Sequence, residues 1–234
     1  MNSLQLLPRE QDRQLSLPIW TRCIFVDWHG VLSNGVFWES IVHSSNHALR
    51  FELGRAVDDL FGNRFDLVES WMRGLVSSVE VISEMEIQLS RKYADDFLLR
   101  RLIEDCLEME INRQVMDGIN SHDPDQTLRV LATDNMDCFV DASLRKKSDL
   151  RQMFDEILCS SEIGVLKAED PQRFFGWWLE EHELSSTDAI LVDDSMANCQ
   201  QFERWGGNAI HYREPKSAMT ELWTWMIETS PDRQ

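Results

Sequence analysis

The chain has 234 residues, of which 43% are hydrophobic, and its formal net charge at pH 7 is −18. This length accommodates one large domain, or an ordinary domain with a smaller second module, and the hydrophobic fraction is sufficient for a buried core. A surface this acidic would repel a phosphate backbone or an anionic membrane, so we expect neither nucleic acid nor a membrane as a partner.

The cysteines and the first 20 residues indicate in which cellular compartment the protein is expected. Five cysteines are spread along the chain without a C-x-x-C pair, which disfavours a disulfide framework or a zinc site and fits reduced thiols. Residues 1–20 are polar and charged, are interpreted as a loose arm, and lack the apolar run of a signal peptide. No stretch of the sequence approaches the ~20 apolar residues of a membrane helix. A cytoplasmic protein is therefore expected.

The first predicted strand covers residues 23–27 and ends on an acid. From residue 36 to residue 120 the pattern becomes helical. Within this module, Ser77 and Glu80 predict a capping box for the third helix. Helical spacing places Val79, Ile82, Met85 and Leu89 on one face of that helix. The predicted helices of the module cover residues 48–61, 66–72, 79–91 and 95–116.

Strands alternate with helices after residue 121. Asp170 and Pro171 are well suited to open one of these helices, as the N-cap and the first helical residue. The predicted strands cover residues 129–133, 156–159, 189–193 and 208–211, and the predicted helices cover residues 136–144, 170–183, 195–205 and 217–228. The alternation predicts a three-layer α/β fold with a Rossmann-like parallel sheet, whose first strand is separated from the others by the inserted helical module. The predicted core comprises residues 21–35 and 121–229, followed by a tail at residues 230–234.

Polar side chains follow the predicted strands at one edge of this sheet. Asp27 ends the first strand, Thr133 the second, and the pair Asp193 and Asp194 the fourth, while Lys167 lies beyond the third. Ligands gather at the carboxyl edge of a parallel sheet. Three acids focused there would repel one another unless a cation lay between them, which makes a Mg²⁺-dependent site the leading hypothesis.

Four segments together resemble the signature of the haloacid dehalogenase-like (HAD) hydrolase superfamily. Each is weak alone, but their order and spacing resemble the family over residues 21–213. They read FVDWHGVL at 25–32, LATDN at 131–135, IGVLK at 163–167 with DPQRF at 170–174, and LVDDS at 191–195 with Asn198. The resemblance implies a HAD-like fold, and the helical module at residues 36–120 is similar to the cap domain of the family.

The resemblance also implies a role for each residue at the sheet edge. Asp27 corresponds to the nucleophile, which attacks phosphorus and forms an aspartyl intermediate. Asp27 and Asp193 would hold Mg²⁺, with Asp194 binding it directly or through water. Lys167 would neutralise the nucleophile and one phosphoryl oxygen, and Thr133 would hydrogen-bond another. The activity implied is Mg²⁺-dependent hydrolysis of a small phosphorylated metabolite.

His29 departs from the family pattern. Phosphatases of the family have a second Asp two residues after the nucleophile, which protonates the leaving oxygen and later activates water. Here an imidazole stands in that place, and a histidine is suited to proton transfer near neutral pH. The backbone carbonyl at this position is a metal ligand in the family, so His29 is also a predicted metal ligand.

Three functions follow from this departure and stay open at this stage. The first is the phosphatase, with His29 either as a working acid/base or as a passive replacement. The second is a metal-independent hydrolase that cleaves a carbon–halogen or similar bond, although such enzymes lack the paired acids. The third is a protein that uses the phosphate pocket to bind a ligand or partner without turnover. The tryptophan-rich surface could also hide a homodimer interface.

Overall fold

The computed structural model describes residues 21–121, 126–145 and 150–229. Within these ranges the chain forms a five-stranded parallel sheet in the order β3-β2-β1-β4-β5. The strands are Arg22–Val26 (β1), Thr127–Thr133 (β2), Glu156–Cys159 (β3), Ala189–Asp193 (β4) and Asn208–His211 (β5). This confirms the predicted parallel α/β fold, and the last three strands have the predicted bounds. The predicted arm at residues 1–20 and tail at residues 230–234 lie outside the described residues.

The central strand β1 shows why the sheet is covered on both faces. All five of its residues are buried, as expected for a parallel strand between two helical layers. Ile24 and Val26 point into one core cluster, whereas Cys23 and Phe25 point into a second cluster on the opposite face. The sheet is therefore the middle of three layers.

The helices after β2 complete these two layers. Asp170 caps the helical segment that follows it, because its Oδ1 accepts a hydrogen bond from the Arg173 amide at 3.0 Å, which confirms the predicted helix start. In the described parts of the chain, no helix is both long and apolar enough to cross a membrane. The helices are Asp137–Arg145 (α7), Leu150–Met153 (α8), Ser160–Ile163 (α9), a π-helical turn Gln172–Gly176 that continues into Trp177–Glu181 (α10), a 3₁₀ turn Ser186–Asp188, Met196–Arg204 (α11) and Pro215–Glu228 (α12).

Five helices between β1 and β2 pack around a third apolar cluster, to which α7 also contributes residues. They are Glu39–Val42 (α1), Arg50–Asn63 (α2), Phe65–Met72 (α3), Ser78–Glu84 (α4) and Phe97–Glu108 (α5), and we call them the cap helices. The capping box of Ser77 and Glu80 is present at the start of α4, as predicted. Ile82, Met85 and Leu89 of the predicted face pack against this cluster, as expected. Val79 does not, because it is 59% exposed, and Val81 is buried instead. The helix also ends at Glu84 rather than at residue 91.

The predicted helix at residues 95–116 is broken in two. The backbone turns to an extended conformation at Met109, and a new helix, Arg113–Asn120 (α6), begins after the N-cap Asn112. The Asn112 amide donates a hydrogen bond to the Leu32 carbonyl at 2.7 Å, which ties this break to the loop after β1. The buried side chains of α6 pack in the same cluster as the sheet and α12. The predicted cap, residues 36–120, includes α6. The buried side chains of α6, however, pack with the sheet and not with the cap helices.

Candidate active site

The predicted acids meet at the carboxyl edge of the sheet. Strands β1 and β4 pair in parallel with Val26 opposite Val192, so the residues that follow them lie side by side. The Asp27 amide continues this ladder by donating to the Val192 carbonyl at 2.9 Å. One carboxylate oxygen from each of Asp27, Asp193 and Asp194 lies within 4.8 Å of the other two. The fold therefore brings together three acids, although Asp27 and Asp194 are 167 residues apart in the sequence.

Lys167 lies between two of these acids. Its Nζ is 2.8 Å from Asp27 Oδ1 and 2.6 Å from Asp193 Oδ2, and it also donates to the Ala132 carbonyl at 3.1 Å. The side chain is only 1% exposed. Burial would lower the pKa of the ammonium, but Asp193 and Asp27 outweigh that effect, so the pKa of Lys167 is raised. The lysine is a fixed positive charge inside an acidic site.

The pKa of the Asp27 carboxyl is raised by its surroundings. Burial raises the pKa of Asp27 to about 8, Asp193 acts in the same direction, and Lys167 opposes both. Burial therefore favours the protonated form of the carboxyl, although Lys167 lies beside it. A metal ion bound at the carboxyl would favour the ionised form further. The Asp27 side chain is oriented by the Trp28 amide, which donates to Oδ1 at 2.8 Å.

The start of α11 fixes the orientation of Asp193. Its Oδ1 accepts a hydrogen bond from the Ser195 amide at 2.8 Å. The Asn198 amide group donates to both carboxylate oxygens, at 3.2 and 3.1 Å. With Lys167 on Oδ2, this buried carboxylate is held by three partners, which preorganises it for ligand binding.

Asp194 packs against the turn that follows Asp27. Gly30 in this turn has φ +82°, and a Cβ at this position would lie 2.1 Å from Asp194 Oδ2. Position 30 thus requires glycine for its backbone conformation and for the close approach of this carboxylate. Burial and Asp193 raise the pKa of Asp194, while His29 opposes them, so the exposed imidazole lies within electrostatic reach of this acid.

Thr133 ends β2 and is buried at the same edge, where it is 3.5 Å from the Asn135 side-chain amide. All the predicted side chains therefore lie at one edge, although the group of three possible side-chain metal ligands does not include a ring nitrogen of His29. The prediction that the His29 carbonyl is a ligand stays a prediction.

Two residues of this edge were missed in the sequence. Asp134 accepts a hydrogen bond from the Lys167 amide at 2.9 Å, and burial raises its pKa. His211, at the end of β5, has Nε2 at 2.9 Å from the Asp194 carbonyl. The signal for each was its place at the end of a predicted strand. Asp134 was overlooked beside Thr133, and His211 because its strand carried no recognised motif.

These observations define a class of protein: a parallel α/β domain with helices inserted after its first strand, and with clustered acids and a buried lysine at its carboxyl edge. No protein-family model matches the chain, and no curated protein matches its sequence.

Solved structures do match it. A predicted HAD-like family hydrolase from Porphyromonas gingivalis has 18% identity and a TM-score of 0.61, covering 86% of this chain and 97% of its own. A 2-haloacid dehalogenase from Pseudomonas syringae pv. Tomato DC3000 has 15% identity and a TM-score of 0.60, with coverage of 89% and 99%. A HAD family enzyme from Bacteroides thetaiotaomicron, in complex with magnesium and inorganic phosphate, has 14% identity and a TM-score of 0.57, with coverage of 82% and 94%.

At these identities the likeness establishes the fold. The chain therefore has the fold of the HAD-like hydrolase superfamily, as the four sequence segments predicted. Both phosphate-binding and dehalogenating proteins share this fold, so the reaction has to be argued from the site.

Proposed function

We propose that the chain is a Mg²⁺-dependent hydrolase of a small phosphorylated metabolite. The observation that carries this proposal is the convergence of Asp27, Asp193 and Asp194 around one point, within 4.8 Å of one another, beside the buried Lys167. Dehalogenation leaves the third acid without a role, since a halide needs neither a metal nor extra negative charge at the site. A phosphate ester carries negative oxygens, which need positive charge nearby. The three carboxylates would bind a cation beside Lys167, and the two positive charges would balance the phosphoryl oxygens.

The three carboxylates suit Mg²⁺ chemically. Mg²⁺ prefers oxygen ligands at ~2.0–2.1 Å and is held by a few carboxylates together with waters and phosphate oxygens. Asp27, Asp193 and Asp194 would hold the ion, with the His29 carbonyl as the further predicted ligand. When bound, the ion would supply positive charge to the carboxylates and to the phosphoryl oxygens.

The residues of the chain account for the remaining steps. A carboxylate oxygen of Asp27 attacks phosphorus, the bond from phosphorus to the ester oxygen breaks, and the leaving alkoxide takes a proton from His29. Water, deprotonated by His29, then attacks the phosphorus of the aspartyl-phosphate, which releases phosphate and restores Asp27. Lys167 balances the negative charge, and the Thr133 hydroxyl donates to a phosphoryl oxygen.

We expect phosphate release from at least one member of a panel of small phosphate esters in the presence of Mg²⁺, and its loss when EDTA replaces the metal. The same assays would include 2-haloacids with detection of halide. Halide release that EDTA does not affect would contradict the proposal and favour the metal-independent hydrolase. Binding of vanadate or trifluoroberyllate without turnover of any ester, including in His29→Asp, would favour a ligand-binding protein.

The role of His29 makes a prediction about leaving groups. An alkyl phosphate needs a proton on its leaving oxygen, whereas p-nitrophenolate leaves without one. We therefore expect His29→Ala to lower kcat by roughly 10²-fold or more for an alkyl phosphate and by less for p-nitrophenyl phosphate. His43→Ala is the control, because its exposed imidazole pairs with Glu39 on α1. An equal loss with both substrates would rule out proton donation by His29, and a strong gain in His29→Asp would mark the histidine as a detuning replacement.

A further inference from the structure

The loop between α3 and α4 rests on the core at several points. The Met72 carbonyl accepts a hydrogen bond from Ser160 Oγ at 2.7 Å. Gly74 has φ +66°, and a Cβ there would lie 2.2 Å from the Ser161 carbonyl oxygen, so the two backbones touch. Between these residues, the Arg73 guanidinium reaches the carboxylate of Glu169, with Nε at 3.1 and 3.2 Å from its two oxygens. The cap helices are therefore fastened to the core beside the third strand.

Glu169 belongs to the turn that carries Lys167. Its Oε2 accepts a hydrogen bond from the Leu166 amide at 3.0 Å, and its own amide donates to the Leu166 carbonyl at 3.0 Å. The Lys167 amide, between them, donates to Asp134 at 2.9 Å. The carboxylate bound by Arg73 is thus the one that closes the turn around the buried lysine.

Ser160 makes a second connection from the same cap loop to the site. Its hydroxyl donates to the Met72 carbonyl and accepts a hydrogen bond from the Asn135 amide at 2.9 Å. Asn135 is two residues beyond Thr133 and contacts it through the side chain. The loop between α3 and α4 is consequently linked to the end of β2 at Thr133 and to the turn of Lys167. Both would contact a phosphoryl group.

The Arg73–Glu169 pair is not placed where it would matter most for stability. Its side chains are 20% and 39% exposed, and exposed ion pairs contribute little to the free energy of unfolding. Arg73 also pairs with Glu69 one turn earlier in α3, at 3.0 Å, so its side chain is held in one direction. What the pair can do is fix geometry, because a small displacement of a catalytic group costs much of its effect.

We propose that Arg73 and Glu169 are positioning residues, an ion pair through which the seated cap helices hold the turn of Lys167 in its reactive place. The proposal rests on the proposed function for the part Lys167 plays in turnover. Its structural part, an ordered turn at residues 166–169 that depends on a cap arginine, stands independently of any substrate.

Amide hydrogen exchange in the full chain tests the structural part. In Arg73→Met we expect the amides of Leu166 and Lys167 to exchange roughly 5-fold faster or more than in the wild type. Arg64→Met is the matched control. Arg64 lies between α2 and α3, and its ion pair with Glu84 at the end of α4, at 3.0 Å, joins only cap helices. Unchanged exchange at residues 166–169 in Arg73→Met, or an equal increase in Arg64→Met, would overturn the proposal.

Kinetics test the functional part. Glu169→Gln removes the charge but keeps an oxygen for the Leu166 amide, so the turn can still close. We expect Arg73→Met and Glu169→Gln each to lower kcat about 10-fold with little change in KM, and Arg73→Lys to restore part of the loss. In Arg73→Met and Glu169→Gln, kcat should fall less with added salt than in the wild type, because salt screens an ion pair that only the wild type has. A purely structural role would give a lowered melting temperature with an unchanged kcat and would contradict the proposal.

The two arms keep this proposal distinct from the proposed function. Faster exchange in Arg73→Met, with no phosphatase activity in the wild type or in any variant, would support the positioning contact and refute the phosphatase. Normal exchange and normal kcat in Arg73→Met, in an active enzyme, would refute the positioning role alone.

Discussion

Replacing Asp27 by Asn should abolish turnover while leaving the protein folded. The amide is nearly the same size as the carboxyl but cannot attack phosphorus, so we expect kcat for any accepted phosphate ester to fall roughly 10³-fold or more. Burial raises the pKa of Asp27, so without a metal ion the wild-type carboxyl already tends toward its neutral form. A neutral amide should therefore cost little stability.

The measurement for Asp27→Asn is steady-state phosphate release together with a melting curve recorded with and without Mg²⁺. A ligand that binds the native state raises the melting temperature, so Mg²⁺ should stabilise the wild type and do so less in the variant. Asp117→Asn is the control, because it makes the same change at an exposed acid on α6. Turnover in Asp27→Asn equal to that of the wild type would rule out the aspartyl-phosphate mechanism.

Replacing Lys167 by Met should damage both stability and activity. The ammonium is 1% exposed and is hydrogen-bonded to Asp27 and Asp193, so its removal leaves carboxylates buried without their cation. Breaking a buried ion pair in this way costs ~3–5 kcal/mol of unfolding free energy. We also expect a large loss of kcat, since the charge that balances the phosphoryl oxygens is gone.

The pH dependence of the Lys167→Met defect has a definite sign. A buried acid with a raised pKa binds its proton more tightly in the folded than in the unfolded protein, so its ionisation costs more stability as the pH rises above ~4. Losing Lys167 removes the interaction that lowers the pKa of Asp27. The destabilisation relative to the wild type should therefore be greater at pH 8 than at pH 5.

Urea unfolding at pH 5 and pH 8 would measure this difference. Lys92→Met is the control, because Lys92 is exposed on the cap segment and stacks on Tyr93, with Nζ 4.8 Å from the ring centre. We expect that control to change the unfolding free energy by less than ~1 kcal/mol at either pH. A Lys167→Met protein as stable as the wild type at pH 8 would mean that the buried carboxylates do not need the lysine.

Mg²⁺ should reduce the stability defect of Lys167→Met. A cation among the three carboxylates takes over part of the charge balance that Lys167 provides. Adding Mg²⁺ should therefore reduce the stability defect of Lys167→Met at pH 8 without restoring kcat, because the lysine would still be missing beside the phosphoryl group.

The strands were predictable because their signal is local. A parallel strand covered on both faces must be a short, continuous apolar run, and runs such as β1 and β4 have this character in the sequence. The site acids were predictable for a related reason. Once the strands are parallel, the residue after each one must come to the same edge of the sheet, whatever the intervening chain does.

The errors in the helical module have the opposite origin. The burial of Val81 in place of Val79 depends on how α4 is rotated against its neighbouring helices, and the spacing of apolar residues does not fix that rotation to within one residue. The break at Met109 was hidden because the residues on either side of it are helical in character, and the break is stabilised by a contact between Asn112 and Leu32, 80 residues earlier. Interactions between distant segments decided both features.

The same division holds for the site. The order of apolar runs and polar ends in the sequence determined the parallel sheet and the placement of Asp27, Asp193 and Asp194 at its carboxyl edge, because parallel strands all end at the same edge. The pairing of β1 with β4 brings these acids together, and the path of the chain after β3 brings Lys167 to them. The tertiary structure alone decided that Asp134 holds the Lys167 amide, that Arg73 binds Glu169, and that α6 packs with the sheet. Each of those depends on side chains from separate segments meeting in space, and no local pattern in the chain specifies such a meeting.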